Sequence, residues 1–129
     1  MDESRPIFLQ VAELIEADIV AGVLPEGGHA PATTEIAALH RINPATALKG
    51  VTMLVDAGIL VKRRGVGMFV TDGARERLLQ RRRETFGLDF IAPLIAEADA
   101  IGKSNEHLIS LIRKETARRP RSSRPMATA

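Results

Sequence analysis

The chain has 129 residues, 45% of them apolar and 26% charged, with aromatics at only 3% and no Cys, Trp or Tyr. These values fit one modest domain, or a small domain with an appendage, built from Leu, Ile, Val and Ala in helices rather than a sheet sandwich; they exclude disulfides and thiolate–metal sites. The net charge of +2 hides an asymmetry, because residues 1–60 hold 3 Lys/Arg against 8 Asp/Glu whereas residues 61–129 hold 15 against 8, which suits either a polyanionic partner or a solvated helix face.

The chain opens on acidic Asp2 and Glu3, without the basic and apolar segments of a signal peptide. No apolar run approaches the roughly 20 residues that span a bilayer, so a cytoplasmic location is expected. Pro6 can open a first helix, because its missing N–H is not needed there. Ile7, Val11, Leu14, Ile15 and Ile19 then recur at helical spacing up to Ala21, and Gly22 is placed to cap the end. Pro25, Gly27, Gly28 and Pro31 mark residues 23–32 as a loop. A short helix follows, capped by Thr33 or Thr34 and carrying Ile36, Ala37 and Leu39. Arg41 and Ile42 form a tight turn.

Asn43-Pro44 is the strongest local signal. Asn can accept a backbone N–H at the N-cap, and Pro presets φ in the first turn. The third helix should run to about Ala57, with Ala47, Val51, Leu54 and Val55 inward and Ala45, Thr46, Lys49, Thr52 and Asp56 outward. Gly58 ends it. Residues 59–62 and 68–71 read as the strands of a hairpin around Arg63-Arg64-Gly65-Val66-Gly67. From Ala74 to about Ile101 the pattern is helical. Arg75, Arg77 and Arg81 to Arg83 crowd its first third, and Pro93 implies a kink near Ala92. Gly102 ends that stretch, and Ser104 can cap a last helix bearing Leu108, Ile109, Leu111 and Ile112.

The fold class implied is mainly α with a small β-hairpin: a winged helix-turn-helix domain followed by a two-helix dimerisation segment. The expected divisions are residues 1–72, 73–118, and a disordered basic tail over 119–129. The third helix suits a major groove, its orphan N–H groups favour phosphate, and the hairpin can reach an adjacent groove. Arg63 and Arg64 bring charge to phosphates, while Gly65 and Gly67 allow close backbone approach.

The stretch from Pro6 to Val70 resembles the DNA-binding domain of GntR-type regulators. The resemblance is carried by Pro6-Ile7-Phe8-Leu9-Gln10-Val11, by Gly22-Val23-Leu24-Pro25-Glu26-Gly27 with Pro31 and Glu35-Ile36-Ala37, and by Asn43-Pro44-Ala45-Thr46-Ala47. Ala57-Gly58-Ile59-Leu60 and Arg63-Arg64-Gly65-Val66-Gly67-Met68-Phe69-Val70 complete it. The Asn-Pro start and short C-terminal part resemble the YtrA-type branch, whose members carry a short helical pairing segment in place of a large effector domain.

What this implies is a homodimeric transcription regulator, in the repressing sense, that binds double-stranded DNA at a palindromic operator. Its DNA-binding residues would be Asn43, Thr46 and Lys49 on the third helix, Arg63, Arg64 and Gly65 on the wing, and Thr34 and Arg41 on the second helix and its turn. Asn43 reads equally as a cap, and Thr46 and Lys49 also read as solvent-facing. Many relatives have Arg at the positions of Thr34 and Leu48 and Asn at Ala45, so the set of donors here is thin. Ala32 replaces the usual Ser, removing the capping box with Glu35. The seam of Phe86, Phe90, Leu94, Ala98 and Ile101, with Leu108 and Ile112, fits dimerisation; the bland alternative folds both helices back on the winged domain.

His29, His40 and His107 are scattered without ligand spacing, and Glu97, Asp99 and Glu106 read as a wet face, so no metal site is expected. No Ser-His-Asp set, P-loop or nucleotide fingerprint occurs; neither enzyme activity nor a cofactor is expected. A small-molecule effector of unknown identity fits the scheme, yet no residue cluster marks one. The competing reading is a winged helix that binds protein and reads no operator, motivated by the acidic first half.

Overall fold

The computed structural model describes residues 1–120, and the expected tail lies from residue 121 onward outside them. The element order is α1 (Ile7–Val20), α2 (Thr33–His40), α3 (Pro44–Asp56), β1 (Leu60–Arg63), β2 (Gly67–Val70), α4 (Ala74–Phe86), α5 (Ala92–Ala100) and α6 (Asn105–Arg118). The chain divides into two compact units, residues 1–83 and the residues from Glu84 onward. The fold is a winged helix-turn-helix followed by helices, as the sequence implies.

The core of the first unit is aliphatic, as the composition requires. Ile19, Leu60, Leu78, Val11, Val51 and Val70 are its largest fully buried side chains, each stabilising by about 1.5–3 kcal/mol. Leu78 and Ala74 come from α4, so the start of the stretch expected to dimerise completes this core. Leu14, counted on the inner stripe of α1, is exposed, and Ala12 is buried instead. Likewise Val55 is only partly buried, and Gly50 takes a place in the inner face of α3.

Gly50 sets the distance between α1 and α3. A Cβ there would lie 2.6 Å from the Phe8 carbonyl oxygen and 2.9 Å from the Val11 side chain. Helix propensity favours Ala over Gly by about 1 kcal/mol. A clash with backbone outweighs it, so Gly50→Ala should lose about 1–2 kcal/mol net. Thermal melting checks this; an unchanged or higher midpoint would show that the two helices have room.

The termini follow local chemistry with one correction. Asn43 Oδ1 accepts from the Ala45 N–H at 2.8 Å, with Pro44 next in the helix. Ser104 Oγ accepts from the His107 N–H. For α2, however, the cap position is Ala32, and Thr33 and Thr34 lie inside the first turn. Ala32 has no side-chain oxygen to offer, so that N-terminus has no side-chain cap. Arg41 closes α2 with a left-handed φ of 53°.

The strands pair in the register Leu60↔Val70, Val61↔Phe69, Lys62↔Met68 and Arg63↔Gly67. The loop read only as Pro/Gly-rich does more than connect. The Gly27 N–H donates to the Val70 carbonyl, the Val70 N–H to Gly28, and the Ala30 N–H to Met68. It thereby pairs along the second edge of β2 and removes an open strand edge.

The break expected near Ala92 takes the form of a π-helical turn over Gly87–Ile91. Pro93 lacks an N–H for the Asp89 carbonyl and its ring crowds that oxygen, and a wider turn relieves both. Within the second unit, Ala98 is the one buried residue among those described. It was expected on the dimer seam, and in the single chain only 3% of its surface is exposed. No residue of α6, 14 residues long, is buried.

Candidate nucleic-acid interface

The expected DNA-facing residues occupy α2, the turn after it, the start of α3 and the wing. Thr34, Arg41, Asn43 and Lys49 are exposed, and Thr46 is half-buried. Among the three helical candidates, Thr46 therefore offers the least surface. Arg63, Arg64 and Gly65 are exposed on the wing, where the Val66 N–H closes the turn onto the Arg63 carbonyl at 2.9 Å. Gly65 has a φ of 77°, a conformation that favours glycine. Val66 projects at the tip.

Two of these cations rest on aromatic rings. Lys49 Nζ lies 3.9 Å from the Phe8 ring centroid, and the Arg63 guanidinium carbon lies 4.4 Å from that of Phe69. The contacts pre-position both side chains while leaving their heads at the surface. Asn43 serves as a cap through Oδ1, and its amide donors take no part in that bond. Asn43→Ala should cost about 1 kcal/mol of stability. Asn43→Asp should keep the melting temperature, since a carboxylate caps equally well. If Asn43→Asp also keeps full DNA affinity, the residue is a cap alone.

The basic crowd on α4 has other duties. Arg77 Nη2 donates to the Gly58 carbonyl and to Thr71 Oγ1, both at 2.7 Å, tying the end of α3 to the end of the wing. Arg75 Nε donates to the Val20 carbonyl at 2.9 Å. Arg81 pairs with Glu16 of α1, and Arg83 with Glu76. Positive charge read as a polyanion surface is thus partly spent on internal joints. For Arg75, Arg77 and Arg81 sequence spacing could not show this, since their acceptors lie on other elements, whereas Arg83 and Glu76 share α4.

The expectation for Gly67 also changes. Its bare α-carbon faces the His29 ring: a Cβ would stand 2.8 Å from His29 Nε2. The close approach it permits is to the protein itself. Leu48, discounted because relatives carry Arg there, is half-exposed on the outward side of α3 beside Lys49.

The seam residues Phe86, Phe90, Leu94, Ile101 and Ile112 are all exposed, and Leu108 is partly covered. Phe86 and Phe90 stack at 5.6 Å between centroids. Leu88, 77% exposed, with Ile91 and Ile95, adds exposed apolar side chains that the sequence had not singled out, beside Ile109 and Leu111 of the last helix. Among the described residues no cluster of His, Cys, Asp or Glu could hold a metal ion, and no helix is long and apolar enough to cross a membrane.

Comparison with known proteins bears on the same residues. Residues 8–70 match the model of the bacterial regulatory proteins of the gntR family. An HTH-type transcriptional regulator of Mycobacterium tuberculosis is 36% identical over 75 residues, 58% of this chain, which spans only 28% of that protein's length. The HTH-type transcriptional repressor YtrA of Bacillus subtilis is 26% identical over 114 residues, covering 88% of this chain and 87% of the repressor. A crystal structure described as a GntR-family transcriptional regulator of Bacteroides thetaiotaomicron superposes with a TM-score of 0.70 at 26% identity, covering 87% of this chain and 97% of the other.

Proposed function

Residues 8–70 of this chain are a helix-turn-helix domain of the gntR family of bacterial DNA-binding regulators, and from that premise we propose that the chain represses transcription as a homodimer on a two-fold operator. The observation that carries this reading is the pairing of an Asn43-capped α3, with an exposed outer face, and a wing bearing Arg63 and Arg64. A helix of this kind fits the major groove, and cations on a hairpin fit the flanking phosphates.

Within that reading the roles divide. Arg63 and Arg64, with the Gly65 backbone between them and the tip, neutralise phosphate. Lys49 and the Asn43 amide meet base edges, and Leu48 offers an apolar contact for a thymine methyl. Thr34 and Arg41 approach the backbone beside the recognition helix, and Thr46 contributes less because it is half-buried. The domain division follows the same logic: residues 1–72 read DNA, and residues 73–118 supply the twin-to-twin contact after α4 has completed the core. Repression is favoured by likeness to YtrA across most of both chains.

The dimer has a physical basis in the second unit. A 14-residue helix with no buried residue is marginal alone in water. An apolar surface with two phenylalanines and several aliphatic side chains calls for a cover, and a second copy supplies the same surface by symmetry. A two-fold dimer then matches a palindromic site. An effector of small-molecule type would bias the spacing of the two domains; no residue is assigned to it.

Selection of bound sequences from a random duplex pool tests binding and half-site spacing together. Recovery of inverted repeats is the expected outcome. If the chain binds no duplex even at low salt, it is instead a protein-binding winged helix. The acidic, partly apolar groove between α1 and α2, with Asp18 and Glu35 beside Leu14 and Leu39, would then be the surface to pursue.

A further inference from the structure

The wing is held from the α1–α2 loop as well as by its own strands. His29 forms an isolated antiparallel bridge with Phe69, and the two rings meet edge-on at 4.7 Å. His29 Nδ1 lies 2.7 Å from the Ala30 carbonyl oxygen, and Nε2 lies 3.0 Å from the Val66 carbonyl oxygen at the wing tip. Gly67 makes the second contact possible, since a Cβ there would collide with the ring. The same Phe69 ring carries the Arg63 guanidinium. One histidine therefore touches the tip of the wing and the ring that seats its first arginine.

Both nitrogens of His29 face acceptors. A neutral imidazole has one N–H and must turn its other lone pair against a carbonyl oxygen; an imidazolium donates to both. We propose that His29 is the positioning residue of the wing: as an imidazolium it clips the Val66 carbonyl to the α1–α2 loop, holds Arg63 and Arg64 in place for phosphate, and makes DNA affinity rise as pH falls. This rests on the DNA-binding reading above.

The ionic surroundings agree with the geometry. The Ala30 carbonyl, then the Val66 carbonyl, raise the pKa of His29 above its ordinary value; the Glu35 carboxylate of α2 adds to this, and desolvation opposes it. Glu35 on α2 is the charged group that acts on the imidazole, and Arg63 on β1 is seated on the Phe69 ring that the imidazole meets. A raised folded-state value means the clip is complete below the usual histidine range and is lost as pH rises through the folded-state value.

The test measures affinity of the full chain for a selected duplex at about pH 6 and about pH 8, at constant ionic strength. The wild type should bind about fivefold tighter at the lower pH. His29→Gln should bind weakly and equally at both, while still unfolding in one cooperative transition at each pH, whereas His40→Gln should keep the wild-type profile. In an Arg63→Ala/Arg64→Ala background, His29→Gln should have no further effect, because it acts through those side chains. A preserved pH profile in His29→Gln, or an undiminished effect in the arginine-free background, overturns the proposal. Failure of the wild type to bind any duplex overturns the DNA-binding reading instead. The clip itself is then read in the free chain, where the Val66 and Phe69 resonances should follow the His29 ring titration; resonances indifferent to it refute the clip.

Discussion

Replacing Arg63 and Arg64 together by alanine should weaken binding to every duplex by at least about 100-fold, since each charge-assisted contact contributes about 1.5–3 kcal/mol. The slope of log affinity against log salt should flatten by about 1.8, the release of two phosphate counterions. Both side chains are exposed at the wing turn. Arg63 is also braced on Phe69, so part of its loss will be a loosened wing. That is why the salt slope, which counts phosphates, is the sharper readout. Lys49 supplies the contrast. It stands on the outward face of α3 over Phe8, where a base contact would alter sequence preference more than total affinity. Equal and sequence-blind losses from the wing pair and from Lys49→Ala would abolish the division between positioning and reading.

The second large effect concerns association of two copies. Phe90 is 65% exposed, stacked on Phe86, and Leu94 follows one turn later. Phe90→Asp with Leu94→Asp should raise the dimer dissociation constant by about 1000-fold or more, because each substitution acts twice across a two-fold interface. Sedimentation of the wild type should give a dimer, and of the variant a monomer. The first unit has its own aliphatic core, so its melting transition serves as the control for folding. A wild-type chain that sediments as a monomer, or a variant that remains dimeric, removes this face from the interface. Operator affinity should fall with dimerisation, since two half-sites held by one particle bind far better than one.

Particular residues show how far the sequence could be read. Asn43-Pro44 announces α3 because a cap and a preset φ are interactions between neighbours. Arg63 to Gly67 announces the wing because a tight turn restricts its own few residues. Gly50 went unnoticed, since a missing side chain has meaning only where another helix comes within a bond's reach of it. The Gly27 to Ala30 segment reads as loop by composition, and its pairing with β2 arises only when the strand is beside it. Ala98 fits a helical seam by spacing, and only the folded chain shows that, unlike Phe90 or Ile101, it is already buried.

The order of helices, the capped start of α3, the turn of the wing and the apolar character of the C-terminal helices were determined by the sequence alone. Each depends on the chemistry of residues within a turn or two of one another. Which arginines remain at the surface and which become joints was decided by tertiary structure. So was the meeting of His29 with Val66, 37 residues away. Side chains at long separation find their partners only after the core has packed, and a one-dimensional pattern carries no distance between them.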